Sequence, residues 1–221
     1  MNAPLTDRSR PDFHLLRGLS DSARLALEAD CSLQSFSVPT EVLQQGEPAD
    51  GCYMVLQGRI EISHIDSHGN PMVLNMASPG EVAGEVEIFC DKPCVATCTA
   101  LPGTVALYCT AETLWRHMPP ALLMRNFAEI LHGRLALDVK FRLIGQFSSP
   151  DQRICHYILQ FTAPEAPETR LSQIYLASLA GCSRQTVNRR LGVLRREGVI
   201  DVKRGTIRVL DRARLLTEAG D

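Results

Sequence analysis

The sequence predicts an α+β chain in three parts: a domain of short strands, one long helix, and a small basic unit built of helices. Three observations carry that reading. Up to about Ala111 the chain breaks into short β-type segments between Gly, Pro and Asp turns, residues 121–146 then run without proline, and the charge changes sign along the chain. Of its 221 residues 45% are hydrophobic, enough for a core and too many for a disordered chain. The formal charge is −2, yet residues 1–150 hold 11 Lys and Arg against 17 Asp and Glu, and residues 151–221 hold 12 against 8. Between Arg170 and Arg214 the count is 11 basic to 3 acidic, which points to an anionic partner for the second part. Met1 to Phe13 carries Asp7, Arg8, Arg10 and Asp12 without an apolar signal segment, and no window reaches the roughly eighteen apolar residues of a membrane span. The expectation is a cytoplasmic chain with no membrane partner.

In the first part, Leu33 to Val38 and Val42-Leu43 precede a polar turn at Gly46 to Gly51. Cys52 to Gln57 reads as a strand, and Arg59 to Ile65 alternates with period two. Asp66 to Asn70 is a hairpin turn that returns as Met72 to Met76, and Cys94 to Ala100 pairs with Thr104 to Cys109 around Leu101-Pro102-Gly103. Evenly spaced short strands of this kind indicate a sandwich or small barrel.

Eight cysteines without a secretory segment and without a Cys-x2-Cys pair argue against a disulfide framework or a structural zinc site. Asp91-Lys92-Pro93 and the β-branched Val95, Thr97 and Thr99 place Cys94 and Cys98 on one face of a strand, with Cys90 in the preceding turn. Buried thiols, redox sensing and metal ligation all remain open for this group.

Thr110 can cap a helix with Glu112 in its first turn, and Pro119-Pro120 ends it. In the long helix that follows, Phe127, Leu131, Arg134, Leu137, Phe141 and Ile144 recur at three- and four-residue steps, a seam by which the helix could pair with its copy. Arg134 would be costly inside a core and is more tolerable at a dimer crossover, where it can reach an acidic neighbour. Ser148-Ser149-Pro150 opens the last part, with a helix over Asp151 to Phe161 and a loop over 163–167.

Ser172 caps a short helix to about Ala180, Gly181-Cys182 turns the chain, and Ser183 caps a second helix from Arg184 to Glu197. Ala177, Gly181, Val187 and Leu191 fall where a helix-turn-helix needs a small crossing residue, a turn glycine and two apolar anchors. A hairpin over 199–209, turning at Lys203-Arg204-Gly205, adds a wing. The second helix offers Ser183, Arg184, Gln185, Thr186, Asn188 and Arg189 from its first turns. Arg suits guanine and Gln or Asn suits adenine, while Arg195 and Lys203 suit phosphate.

The stretch from Leu171 to Arg208 resembles the winged helix of the bacterial catabolite-activator/fumarate-nitrate-regulator (Crp/Fnr) superfamily. Gly51 to Ile62 and Pro79-Gly-Glu-Val-Ala-Gly-Glu85 resemble its cyclic-nucleotide-binding β-roll, so the likeness spans about residues 13–214. It implies a jelly-roll or double-stranded β-helix sensor over 13–118, a dimerisation helix over 119–147 and a winged helix over 148–221. It also implies a homodimeric transcription regulator on an inverted-repeat DNA site, with RNA polymerase as a further partner if it activates.

For the effector, the resemblance places a tentative pocket at Gly84, Glu85, Cys94, Val95 and Asp138. The family's Gly-Glu is kept at Gly84-Glu85. Its phosphate-binding Arg-Ser pair falls at Cys94-Val95, and its Thr-Ser pair falls near Asp138-Val139. Loss of the guanidinium and gain of Asp138 disfavour a cyclic nucleotide. An iron–sulfur cluster is disfavoured because Cys31 stands alone near the N-terminus. Haem, through His14, His64, His68, His117, His132 or His156, and a small metabolite stay open. Glu81, Glu85 and Glu87 travel with no nucleophile or metal-ligating His, and Gly80 to Gly84 lacks the lysine of a phosphate loop, so the reading is not an enzyme. The alternative is a ligand-sensing or protein-interaction module whose winged helix does not bind DNA.

Overall fold

A computed structural model describes residues 11–67, 69, 71–162, 164, 167–203 and 205–220. His68 and Asn70 of the hairpin turn, Ala163, Glu165 and Ala166 of the loop, and Arg204 of the wing lie outside the described residues. The chain divides into two compact units, residues 1–134 and 135–221.

In the first unit, β1 (Ser32–Phe36), β8 (Thr104–Thr110), β3 (Gly51–Gln57) and β6 (Val82–Ala83) form one antiparallel sheet in that order. The second sheet runs β2 (Thr40–Leu43), β7 (Thr97–Ala100), β4 (Ile60–Ile65) and β5 (Pro71–Ala77). Tyr53, Val55, Ala83 and Ala106 of the first sheet share a core with Ile60, Ala77, Cys98 and Ala100 of the second, so the sheets meet face to face. The outer face of the first sheet, Cys52, Met54, Leu56, Leu107 and Cys109, is covered by Phe13, Leu15, Leu27, Leu114, Met118 and Leu123. This double coverage explains why β3 is apolar nearly throughout while β4 alternates.

Helices supply the cover. α1 (Asp21–Ala29) is capped by Ser20, whose side chain accepts from Ala23 N, and α3 (Ala111–His117) by Thr110, which accepts from Thr113 N. α4 (Pro120–Phe147) begins in this unit, where buried Asn126 donates to Leu15 O at 2.9 Å and Arg17 O at 2.7 Å. Two expectations are corrected. The strand expected from Cys94 begins at Thr97, so Cys94 and Cys98 do not share a strand face. Residues before it fold as the short helix α2 (Glu85–Cys90), because Asp91 leaves the helix in a left-handed conformation and Pro93 follows. α1 is a further element beyond the sequence expectation, its Ser-capped apolar period hidden beside stronger strand signals.

The second unit holds α5 (Pro150–Gln160), where Ser149 and Gln152 form a reciprocal capping box with Pro150 at the first position. α6 (Gln173–Leu179) and α7 (Arg184–Arg196) follow with their expected Ser172 and Ser183 caps. The wing is β10 (Ile200–Lys203) paired with β11 (Thr206–Val209), to which β9 (Glu168–Arg170) adds a third strand. α8 (Arg212–Ala219) closes the unit and buries Leu215 and Ala219.

Candidate nucleic-acid interface and sensor pocket

Burial sorts the side chains of α7. Val187, Leu191 and Leu194 are buried with Ala177 of α6, which leaves Arg184, Gln185, Asn188 and Arg189 exposed on the first turns. The turn before α7 needs Gly181, whose φ of +56° is a left-handed value that a Cβ would strain. Arg153 holds that turn by donating Nε to Ala180 O at 2.7 Å. Ser183 Oγ accepts from Thr186 N at 3.1 Å and lies 3.0 Å from Thr186 Oγ1, so both hydroxyls mark the helix start.

The cations separate into two kinds. Arg190 is 9% exposed and donates to Glu218 Oε2 at 2.6 Å and to Cys155 Sγ at 3.4 Å; it holds α7 to α8 and α5 and is withdrawn from the surface. Arg189 is exposed and donates to Asp151 Oδ1 at 3.0 Å, a partner that the local sequence does not announce. Arg195 and Arg196 are exposed at the helix end, and Lys203 Nζ lies 2.7 Å from Asp201 on the wing. The shared period of α5 and α7 shows that each has a buried face, but which residues meet across them needs the fold.

In the sensor unit, Gly84 takes φ +88°, a left-handed value that a Cβ would strain, so the turn into α2 favours glycine. The next residue, Glu85, is fully buried. Arg134 Nη2 comes within 2.6 Å of Glu85 Oε1 while donating a directed hydrogen bond to Val82 O at 3.0 Å. Arg134 thus holds the buried carboxylate as an ion pair. Burial raises the Glu85 pKa, and the Arg134 charge opposes the rise. Cys94 is buried and its N–H donates to Glu47 O at 2.8 Å, whereas Val95 is 70% exposed. Asp138 belongs to the other unit and is exposed.

The seam expected on α4 is largely engaged within the protomer. Phe127 packs edge-on against Phe89, with ring centroids 5.4 Å apart. Arg134 meets Glu85, Phe141 stacks on Tyr157 at 5.3 Å, and Ile144 is buried. Only Leu131 of the large apolar residues on that seam is exposed. The outward apolar residues of α4 are Met124, Leu131, Leu135, Val139, Leu143 and Phe147. Both stripes recur at helical spacing, so periodicity alone could not tell which one the protomer covers.

Residues 33–118 match the family model described as cyclic nucleotide-binding domain, and residues 152–218 match the Crp-like helix-turn-helix domain. The chain belongs to the Crp/Fnr superfamily. It is a DNA-binding transcriptional regulator of that type, with a β-sheet sensor followed by a helical, winged DNA-binding region. The cyclic AMP receptor protein of Thermus thermophilus is 29% identical over 179 residues, covering 79% of this chain and 82% of that protein. The CRP-like cAMP-activated global transcriptional regulator of Mycobacterium tuberculosis is 25% identical over 215 residues, or 93% and 96% of the two chains. A solved Crp/Fnr-family regulator from Thermus thermophilus has the same fold, with a TM-score of 0.69 at 24% identity over 86% of this chain and 99% of that one.

These matches overturn the expectation that disfavoured a cyclic nucleotide. That argument rested on one lost guanidinium at Cys94 and one added charge at Asp138. Folding brings another guanidinium, that of Arg134, onto the retained Glu85. No described helix is long and apolar enough to cross a membrane, and no described group of three His, Cys, Asp or Glu residues is placed to hold a metal ion.

Proposed function

We propose that this Crp/Fnr regulator is a homodimer that reads an inverted-repeat DNA site through α7 and answers to a cyclic nucleotide in its β-roll. The exposed polar face of α7 carries the DNA reading: Arg184, Gln185, Asn188 and Arg189 project while their apolar neighbours are buried. In this reading Arg184 and Arg189 bond guanine, and Gln185 and Asn188 bond adenine. Ser183, Thr186, Arg195 and Lys203 meet phosphate. That exposed, cationic face favours DNA over a protein-docking role for the winged helix. The outward stripe of α4 supports the dimer, because it leaves six large apolar side chains in water on a single protomer. RNA polymerase is the further partner where the bound site flanks a promoter.

Glu85 supports the effector. A fully buried carboxylate held by a single guanidinium keeps acceptor lone pairs suited to a sugar hydroxyl, which a cyclic nucleotide carries. Selection of random duplexes by the purified protein tests the DNA reading. Recovery of an inverted repeat supports it, and recovery of unrelated sequences with no two-fold symmetry overturns it.

A further inference from the structure

Three cysteines lie side by side on the outer face of the first sheet. Cys52 of β3 is the direct register partner of Cys109 of β8. On the other side of β8, Ser32 pairs with Tyr108, so one further step in the antiparallel register sets Cys31 opposite Cys109. Directly opposite residues point to the same face with Cα atoms about 4.5–5.5 Å apart, inside the range a disulfide spans. Cys52 and Cys109 are sealed in the core, and Cys31, at the junction of α1 and β1, is half-buried. Cys31 is therefore the thiol of the three through which solvent reaches the group.

We infer that Cys31 and Cys109 form an oxidisable dithiol, with Cys31 the thiol that meets a hydroperoxide and Cys109 the thiol that resolves it. The surroundings divide the roles. A hydrogen bond from the Cys109 thiol lowers the Cys31 pKa, against opposition from burial and from the Glu28 and Asp30 carboxylates. The Asp30 charge is itself partly answered, since Asp30 Oδ2 lies 2.7 Å from His117 Nε2 and 3.5 Å from Arg116 Nη1. Donation to Cys31 and burial push the Cys109 thiol strongly up. Cys109 Sγ also lies 3.7 Å from Thr110 O, a weak acceptor that Cys31 outcompetes once it is a thiolate. Burial holds the Cys52 thiol protonated.

The reaction balances with a hydroperoxide as the oxidant. Cys31 thiolate attacks one peroxide oxygen, the S–O bond forms as the O–O bond breaks, and the departing hydroxide or alkoxide takes a proton. Cys109 sulfur then attacks Cys31 Sγ, the S–S bond forms as the S–O bond breaks, and water leaves with the Cys109 proton. The bond would tie the end of α1 to the end of β8, just before α3.

Full-length protein is treated with a small excess of hydrogen peroxide, remaining thiols are alkylated, and peptides are mapped by mass. The expected product is a Cys31–Cys109 linked peptide about 2 Da lighter than the two free peptides, reversed by reductant. In Cys109→Ser, a sulfenic-acid trap such as dimedone is expected to label Cys31, and Cys52→Ser is expected to keep the link. The linked peptide is read on the wild type, so a variant that fails to fold does not blunt the test. Oxidation confined to exposed Cys90, with Cys31 and Cys109 both still alkylated, overturns the inference. So does a disulfide that joins Cys31 to any cysteine other than Cys109.

Discussion

Arg189 and Arg195 leave the same helix, and the proposed DNA reading gives them different tasks. The Arg189–Asp151 pair is exposed on both sides, so releasing it to a base costs only about 0–1 kcal/mol. Arg189→Ala is expected to weaken the specific complex by about 1–3 kcal/mol and to relax preference at one base position. Arg195→Ala is expected to weaken all duplexes alike and to lower the salt slope by about one. Titrations of both variants against matched and mismatched duplexes at several salt concentrations separate these outcomes, and an equal loss on every sequence for Arg189→Ala would reassign the reading face. Glu85 gives a prediction in pH. Its raised pKa means that folding favours the protonated form, so its contribution to stability is present below its unfolded pKa and lost as pH rises through the folded pKa. Arg134 limits that loss. Arg134→Ala is expected to cost roughly 1–3 kcal/mol at neutral pH and less near about pH 4, where Glu85 is protonated in both proteins. Thermal melts across this range check it; a cost independent of pH would show that the carboxylate does not titrate through the pair.

At the scale of elements, α4 carries two apolar stripes, one engaged inside the protomer and one proposed for the dimer. Phe127, Phe141 and Ile144 are engaged in contacts inside the protomer, whereas Leu135 is 63% exposed there. Leu135→Asp is expected to give monomers at micromolar concentration in analytical ultracentrifugation while keeping the helical circular dichroism of the wild type. Phe141→Asp sets a charge against the Tyr157 ring and is expected to lower the melting temperature of the DNA-binding unit in the monomer and the dimer alike. Unchanged sedimentation of Leu135→Asp would remove the outward stripe from the dimer proposal.

For the whole molecule, sensing and DNA reading are tested together. A ligand that binds only the folded form stabilises by mass action, by about 2.7 kcal/mol at a hundred times its Kd. Cyclic AMP or cyclic GMP is therefore expected to raise the melting temperature in a saturable way, and Glu85→Ala is expected to abolish the rise. No shift with either nucleotide at millimolar concentration would leave the β-roll without the effector proposed for it. A dimer places two recognition helices in successive major grooves about 34–36 Å apart, so a spacer of about five extra base pairs between half-sites is expected to abolish tight binding in gel-shift titrations.

The linear pattern determined most of the elements and the family. Period two at Arg59 to Ile65, the caps at Thr110, Ser172 and Ser183, and the turn glycine at Gly181 are local requirements of the backbone, so they are written where they act. The α7 residues proposed to read DNA were legible for the same reason: the first turns of one helix carry them all. Tertiary structure decided what depends on residues far apart in the chain. Glu85 and Arg134 are far apart in the chain, and nothing in either segment announces the other. Cys31, Cys52 and Cys109 share no spacing and become neighbours through strand register. Likewise α4 has an apolar helical period on two faces, and only the sheet, α2 and α5 choose which face is covered. Local geometry is encoded residue by residue, whereas pairing of buried charges, thiols and faces is a property of the packed chain.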